Sequence, residues 1–136
     1  MIATYRLNEY VRLNGPRFGD DKWKTYQDAD IFLFPTRFKQ ESFPLVILEA
    51  MQFGLPVLAS RIGAIPEIID HGINGYTFDP SDHIGFAKVI MELIEHKDLT
   101  QRIGKAGRKK FLENYTSVHL ENKIRELYDN CLPDIR

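Results

Sequence analysis

Two carboxylates, Glu41 and Glu49, stand in the part of this sequence whose residue types could do chemistry. The residues after Glu41 predict a helix. Ser42 is a suitable N-cap, Pro44 is tolerated in a first turn, and Gly54 marks the end. Apart from Glu49, the helix residues leave almost no polar face. We therefore expect a helix that is buried on nearly all sides and carries one acid in its middle.

Glu49 needs a partner from outside its own helix. An ionised carboxylate among apolar side chains loses hydration energy unless a cation or hydrogen-bond donors compensate it. No Lys or Arg lies three or four residues before or after Glu49. The compensating group must therefore come from another element or from a ligand.

The start of this helix is a candidate anion site between the two acids. Free N–H groups and the positive end of the helix dipole favour phosphate at a helix N-terminus. A phosphorylated, hydroxyl-rich ligand would fit there, with Glu41 and Glu49 accepting hydrogen bonds from its hydroxyls. The alternative is that Glu41 is a solvated loop acid and Glu49 a core acid paired to a distant base. Buried acids, or acids with a perturbed pKa, occur at functional sites often but not always, so the alternative stays open.

Composition excludes several other classes of function. The 136 residues suit a single domain spanning 1–136, and a formal net charge of −1 argues against a dedicated nucleic-acid binder. No apolar run reaches a membrane span of about 20 residues, and the N-terminus lacks a signal-peptide core, so a cytoplasmic location is expected. Cys131 is the only cysteine and the four histidines are scattered, so no metal site is predicted.

Apolar runs alternate with amphipathic segments along the chain, which is typical of a mostly parallel α/β sheet. About four strands are predicted, at Glu9–Leu13, Ile31–Phe34, Pro56–Ser60 and Tyr76–Phe78. Besides the helix after Glu41, helices are predicted at Asp20–Asp28, Pro66–Ile69, His83–Lys97, Leu99–Asn114 and Val118–Cys131. Strand and helix layers would thus occupy about 9–80, and a helical C-terminal part about 81–131.

Loops at the carboxyl ends of the strands should form the ligand crevice, because parallel α/β sheets bind ligands there. These loops are Gly15–Arg17, Pro35–Glu41 and Ser60–Pro66. The predicted N-terminus of the helix after Glu41 opens at the same edge.

Several motifs in this order and spacing resemble the C-terminal, donor-binding half of retaining GT-B glycosyltransferases of the family 4 type. They are Asp28-Ala-Asp30, Phe32 to Thr36, Glu41-Ser-Phe-Pro-Leu-Val-Ile-Leu-Glu49 with Gly54-Leu-Pro56, Gly63-Ala-Ile-Pro66-Glu67 and Asn74-Gly75. The resemblance runs from about Val11 to Tyr115. It implies a partial Rossmann-like sheet and a nucleotide-sugar donor, UDP- or GDP-linked, with no cofactor or metal.

The resemblance also implies a role for individual residues. Glu41 would be the catalytic-site acid that binds the donor-sugar hydroxyls, and Glu49 would accept hydrogen bonds from the nucleotide ribose. Backbone N–H groups would hold the sugar and diphosphate, and further residues would line the pocket. The N–H donors are those of Ser42, Phe43 and Leu45, and the lining residues are Thr36 and Gly63 with its loop to Glu67.

The sequence departs from the family pattern in ways that predict a fragment. The Gly-Arg motif and the Lys that neutralise the diphosphate in family members are absent, and so is the N-terminal, acceptor-binding domain. The isolated chain is therefore expected to be inactive. A non-catalytic nucleotide-binding or assembly module is the alternative, and a sugar-nucleotide epimerase is a third, less favoured interpretation.

One strand edge is expected to be bare. In the strand order 3-2-1-4-5-6, Ile31–Phe34 would be the fourth strand and would neighbour a first strand that the chain lacks. A free apolar edge favours pairing. We expect either that Tyr10–Leu13 fills the vacancy or that two chains associate or swap there.

Overall fold

The computed structural model describes residue 2 and residues 4–131. It has an α/β architecture with three strands, β1 (Phe32–Phe34), β2 (Val57–Ser60) and β3 (Gly75–Phe78). Six helices accompany them: α1 (Gly19–Gln27), α2 (Leu45–Gln52), α3 (Ile65–Ile68), α4 (His83–Glu95), α5 (Lys97–Asn114) and α6 (Ser117–Cys131). The predicted fold class, a small parallel sheet flanked by helices with a helical C-terminal part, is confirmed.

The sheet has the order β1-β2-β3 and every pairing is parallel. Phe32 is in register with Val57, which is in turn in register with Gly75. All four residues of β2 are buried, because the strand lies between two neighbours and under helices on both faces. This explains why its sequence is a continuous run without alternation.

The core is divided by the sheet. On one face, Val57 and Ala59 join the buried side chains of α2 and α3 and the partly buried Phe111 of α5. On the other face, Leu58 packs with Leu93 and its neighbours on α4. Successive residues of β2 therefore serve opposite cores, as the pleat of a strand requires.

The predicted strand Glu9–Leu13 is wrong, and the described residues form three strands instead of about four. Backbone N–H groups of Tyr10 and Val11 donate to the carbonyl of Leu7, which makes a turn, and Tyr10 and Leu13 are largely exposed. Tyr10–Leu13 does not fill the place beside β1, so that part of the expectation is also wrong. β1 has only three residues and is followed by Pro35, which has no N–H. It therefore offers few backbone groups for hydrogen bonds to a further strand.

Within the described residues the outer edge of β1 stays free. The outward-facing backbone groups of a parallel edge strand belong to alternate residues, here Leu33, whose side chain is also exposed. Association of two chains along this edge remains a prediction, and a concentration-independent monomer in sedimentation would contradict it.

The predicted start of the helix after Glu41 is wrong. α2 begins at Leu45 with Pro44 as its N-cap in an extended conformation, and Ser42 makes no capping bond. Proline disfavours the α region for the residue before it, so the helix does not extend back through Phe43. Its end is as predicted, with Gly54 at a φ of +73°.

The burial of α2 is less complete than predicted. Helices α4 and α6 also expose apolar side chains. The core side of α2 consists of Ile47, Leu48, Ala50 and Met51, whereas Leu45 is exposed. On α4, Ile84, Met91 and Ile94 are exposed, and α6, which was predicted from its amphipathic pattern, has no buried residue. No described helix is long and apolar enough to cross a membrane.

Candidate functional site

Glu49 lies in the second turn of α2 and faces α1. Its Oε1 is 2.5 Å from Lys22 Nζ, and its Oε2 accepts a 2.9 Å hydrogen bond from Tyr26 Oη. Lys22 and Tyr26 are four residues apart, which places both on one face of α1. The Glu49 side chain is 20% exposed and that of Lys22 31%, so water screens this pair only partly.

Aromatic packing fixes α1 against α2 at this point. The ring of Phe53, the C-cap of α2, stacks on Tyr26 with centroids 5.6 Å apart and on Trp23 with centroids 6.1 Å apart. Tyr26 also contacts Phe32 of β1, with centroids 5.7 Å apart. The donors to Glu49 are therefore held by a packed cluster.

Tyr26 is suited to remain a hydrogen-bond donor. Burial raises the pKa of Tyr26 well above its ordinary value, and the hydrogen bond to Glu49 and the negative charge of that carboxylate raise it further. The hydroxyl therefore stays protonated throughout the physiological pH range. It gives Glu49 one fixed donor on the oxygen that Lys22 does not bind.

The expectation that Glu49 is compensated from another element is confirmed, since Lys22 is the distant base of the alternative interpretation. Lys22 and Tyr26 do not use all the hydrogen-bond acceptor positions of the Glu49 carboxylate. Each carboxylate oxygen can accept about two hydrogen bonds, and each accepts one from a described residue here. Acceptor capacity therefore remains for a further donor such as a hydroxyl.

Glu41 lies in the loop between β1 and α2 and is held differently. Its backbone N–H donates to the carbonyl of Phe38 at 3.2 Å, and within the described residues its carboxylate has no hydrogen bond or ion pair. Thr36 shapes the same loop, because its Oγ1 accepts a 3.1 Å bond from the Phe38 N–H. Thr36 thus supports the backbone that leads to Glu41.

Gly63 touches Glu41 directly. It has a φ of +54°, and a Cβ added to it would lie 1.7 Å from the carbonyl oxygen of Glu41. Only a residue without a side chain fits this approach and this backbone conformation. The structure thereby brings together the loop after β2 and the loop after β1, two of the three loops that were predicted to meet.

Residues 41–45, called here the α2 mouth, present backbone donors that no described acceptor uses. The N–H groups of Ser42, Phe43 and Leu45 donate to no described group, and Pro44 has none to donate. Phe43 is partly exposed and rests against Tyr115 at the end of α5, with ring centroids 6.2 Å apart. Free donors at the positive end of a helix favour an anion.

The other motif residues build the scaffold. Asn74 is buried, donates to the carbonyl of Ile68 at 3.2 Å and accepts from the Asp70 N–H at 2.7 Å. Lys110 of α5 binds the Asp70 carboxylate at 2.8 Å. These bonds fasten the turn before β3, and Asn74 is therefore a structural residue.

Sequence reasoning missed Lys22 and Tyr26 as the partners of Glu49. The usable signal was their spacing on α1 together with Trp23, which predicts one face that packs. Tyr115 was also missed as a contact of Phe43. Among the described residues, no group of three or more His, Cys, Asp or Glu side chains could hold a metal ion.

Comparison with known proteins identifies the family. A protein-family model described as "Glycosyl transferases group 1" matches residues 1–110. N-acetyl-alpha-D-glucosaminyl L-malate synthase of Bacillus anthracis is 34% identical over 96 residues, which cover 71% of this chain and 25% of that enzyme. D-inositol 3-phosphate glycosyltransferase of Corynebacterium diphtheriae is 31% identical over 121 residues, covering 89% of this chain and 28% of that enzyme.

The fold is similar to solved structures of the same kind. Anabaena Alr3699/HepE in complex with UDP has a TM-score of 0.87 and 26% identity, covering 95% of this chain and 35% of that one. The C-terminal domain of the group 1 family protein LpcC of Francisella tularensis has a TM-score of 0.75 and 26% identity, covering 85% and 59%. This chain spans about a quarter of the curated relatives named above. It belongs to the group 1 glycosyltransferases and has their GT-B, Rossmann-like fold.

Proposed function

We propose that this chain binds the nucleotide-sugar donor of a retaining glycosyltransferase. The observation that carries the proposal is the arrangement of Glu49, held by Lys22 and Tyr26, on the helix whose mouth presents free N–H groups beside Glu41. Similar structures solved with UDP and with UDP-glucose support a uridine nucleotide as the base to test first.

In the proposed complex the ribose, the diphosphate and the sugar of the donor each have a matching group. The remaining acceptor positions of Glu49 would take the ribose hydroxyls, and the N–H groups of Ser42, Phe43 and Leu45 would bind the diphosphate. Glu41 would bind the hydroxyls of the sugar. Thr36 and Gly63 act through the loops, because their contacts set the course of the backbone at Glu41.

These groups favour transfer by electrostatics and position. The bond between the sugar C1 and the phosphate oxygen breaks, and its electron pair leaves with the diphosphate. Backbone donors at the α2 mouth would stabilise that developing charge without rearranging. The oxygen of the acceptor hydroxyl then bonds to C1 on the face from which the diphosphate leaves, and the hydroxyl proton passes to the departing diphosphate oxygen. The configuration is thereby retained.

The acceptor contacts lie outside this proposal, and a second domain of a parent enzyme would supply them. We therefore expect no turnover from the chain alone. The parent enzyme is expected to be cytoplasmic. A non-catalytic nucleotide-binding or assembly module is the second candidate. It is favoured by the absence of any described bond to the Glu41 carboxylate, which leaves that acid without a fixed direction.

Titration with nucleotides tests the proposal. NMR spectra of the labelled chain should shift saturably with UDP at millimolar or lower concentration, chiefly at residues 41–49. Glu49→Ala should abolish the shifts, whereas Glu126→Ala, a substitution on the exposed helix α6, should leave them unchanged. If neither UDP nor GDP shifts any resonance, donor binding by this chain is refuted.

A further inference from the structure

Lys22 is the only described cation that contacts Glu49, and its own position is fixed from two sides. Its Nζ is 2.5 Å from Glu49 Oε1 and 5.0 Å from the centroid of the Trp23 ring. The Trp23 ring is in turn stacked on Phe53 at the end of α2. These contacts restrict the motion of the Lys22 ammonium group. Through the ion pair they also fix the position of the Glu49 carboxylate relative to α1.

The two partners of Glu49 divide its oxygens. Lys22 binds Oε1 and Tyr26 binds Oε2, so rotation about the last side-chain bond would break both contacts. A glutamate side chain loses about 1.5–2 kcal/mol of rotational entropy when a ligand immobilises it. Immobilisation before binding removes that cost from the binding step.

A ribose offers a pair of neighbouring hydroxyls, and two donors at a fixed separation require an acceptor of fixed orientation. Lys22 cannot accept the protons of the ribose hydroxyls, because an ammonium group has no acceptor. Lys22 therefore provides an acceptor for these hydroxyls only through Glu49, whose Oε1 it binds.

We propose that Lys22 is a positioning residue of the nucleotide site, which, with Tyr26, holds the Glu49 carboxylate in the orientation that the 2′- and 3′-hydroxyls of the donor ribose require. The inference rests on the proposed donor binding. It gives Lys22 a role in ribose recognition although Lys22 is not required to touch the ribose.

Discrimination between ribose and deoxyribose isolates this role. Loss of a hydrogen bond to a charged group weakens binding by about tenfold or more, so the wild-type chain should bind UDP about tenfold more tightly than 2′-deoxy-UDP. Lys22→Met should weaken UDP binding by about five- to tenfold and bring the ratio of the two dissociation constants close to 1. Lys22→Arg should retain most of the preference.

The controls separate positioning from general damage. Lys24→Met changes the other lysine of α1, which has no described contact with Glu49, and should leave both dissociation constants unchanged. Thermal unfolding of each variant checks that it folds, and Lys22→Gln serves if Lys22→Met does not.

Three outcomes overturn the inference while leaving donor binding intact. The first is a Lys22→Met variant that is indistinguishable from wild type in UDP affinity and in the ratio of the two dissociation constants. The second is a variant that binds UDP more tightly, which would make Lys22 a competitor of the ribose. The third is an equal fall in both affinities. Failure of the wild-type chain to bind UDP is a different result, because it refutes the proposed function itself.

Discussion

The two acids near α2 are held by different kinds of contact. Glu49 is fixed by side chains, Lys22 and Tyr26, that come from a helix packed beside its own. Glu41 is fixed through its backbone, which lies against Gly63, while its carboxylate has no described partner. The Glu49 carboxylate is therefore oriented before any ligand binds, whereas for Glu41 only the position of the backbone is fixed.

This difference follows from what packs around each acid, since both residues are half-buried. A carboxylate on the packed side of a helix needs a partner in the folded chain, because it would otherwise lose its hydration without compensation. Glu41 lies in a loop and its carboxylate has no described partner, so it stays available to a ligand. The backbone contact at Gly63 then becomes the means of placing it.

Removal of each carboxylate should show the largest contrast. Glu49→Ala leaves Lys22 and Tyr26 without their common acceptor, so we expect the free energy of unfolding to fall by about 2–3 kcal/mol. Glu41→Ala should change it by less than about 0.5 kcal/mol. Urea unfolding of both variants measures the two values, and equal losses would contradict the comparison.

A smaller effect is expected from a side chain at Gly63. Gly63→Ala places an atom against the Glu41 carbonyl, whereas Gly72→Ala has a similar positive φ of +78° with nothing within 4 Å of the added atom. The Gly63 variant should therefore lose about 1–2 kcal/mol more than the Gly72 variant. Only the Gly63 variant should also shift the amide resonance of Glu41, and a shift in neither would show that the two loops are not in contact.

The smallest effect concerns pH. Because the pKa of Tyr26 is raised in the folded chain, an unfolded tyrosine releases its proton first, above about pH 10. The unfolded state is then favoured as pH rises, at about 1.4 kcal/mol per pH unit for one such group. Tyr26→Phe should be less stable than wild type at pH 8, and this difference should shrink by about 1 kcal/mol at pH 11 in urea unfolding. An unchanged difference would show that Tyr26 is not shielded as described.

The sequence predicted best those elements whose own residues carry the pattern of a buried segment. β1 and β2 were predicted because a short apolar run without alternation is typical of a strand that is buried on both faces. The end of α2 was predicted because Gly54 adopts a conformation that few other residues tolerate. The need of Glu49 for a distant partner was also predicted, since burial of a charge is a local property of the helix.

The parts that the sequence did not predict depend on contacts between elements. Lys22 could be assigned to Glu49 only once α1 was known to pack beside α2. The segment Tyr10–Leu13 has the composition of a strand, but a strand forms only where a partner is in reach. The apolar stripe of α6 is an equally good core face by pattern, and its exposure could not be read from α6 itself.

The exposure of α6 has a consequence for the cooperativity of unfolding. None of its side chains is buried, whereas α2 and β2 contribute many side chains to the core. Its local opening therefore removes little apolar contact and should require far less free energy than opening of the sheet. The chain should behave as a cooperative α/β core with an independently fraying C-terminal helix, and amide hydrogens of residues 117–131 should exchange with solvent long before those of β2.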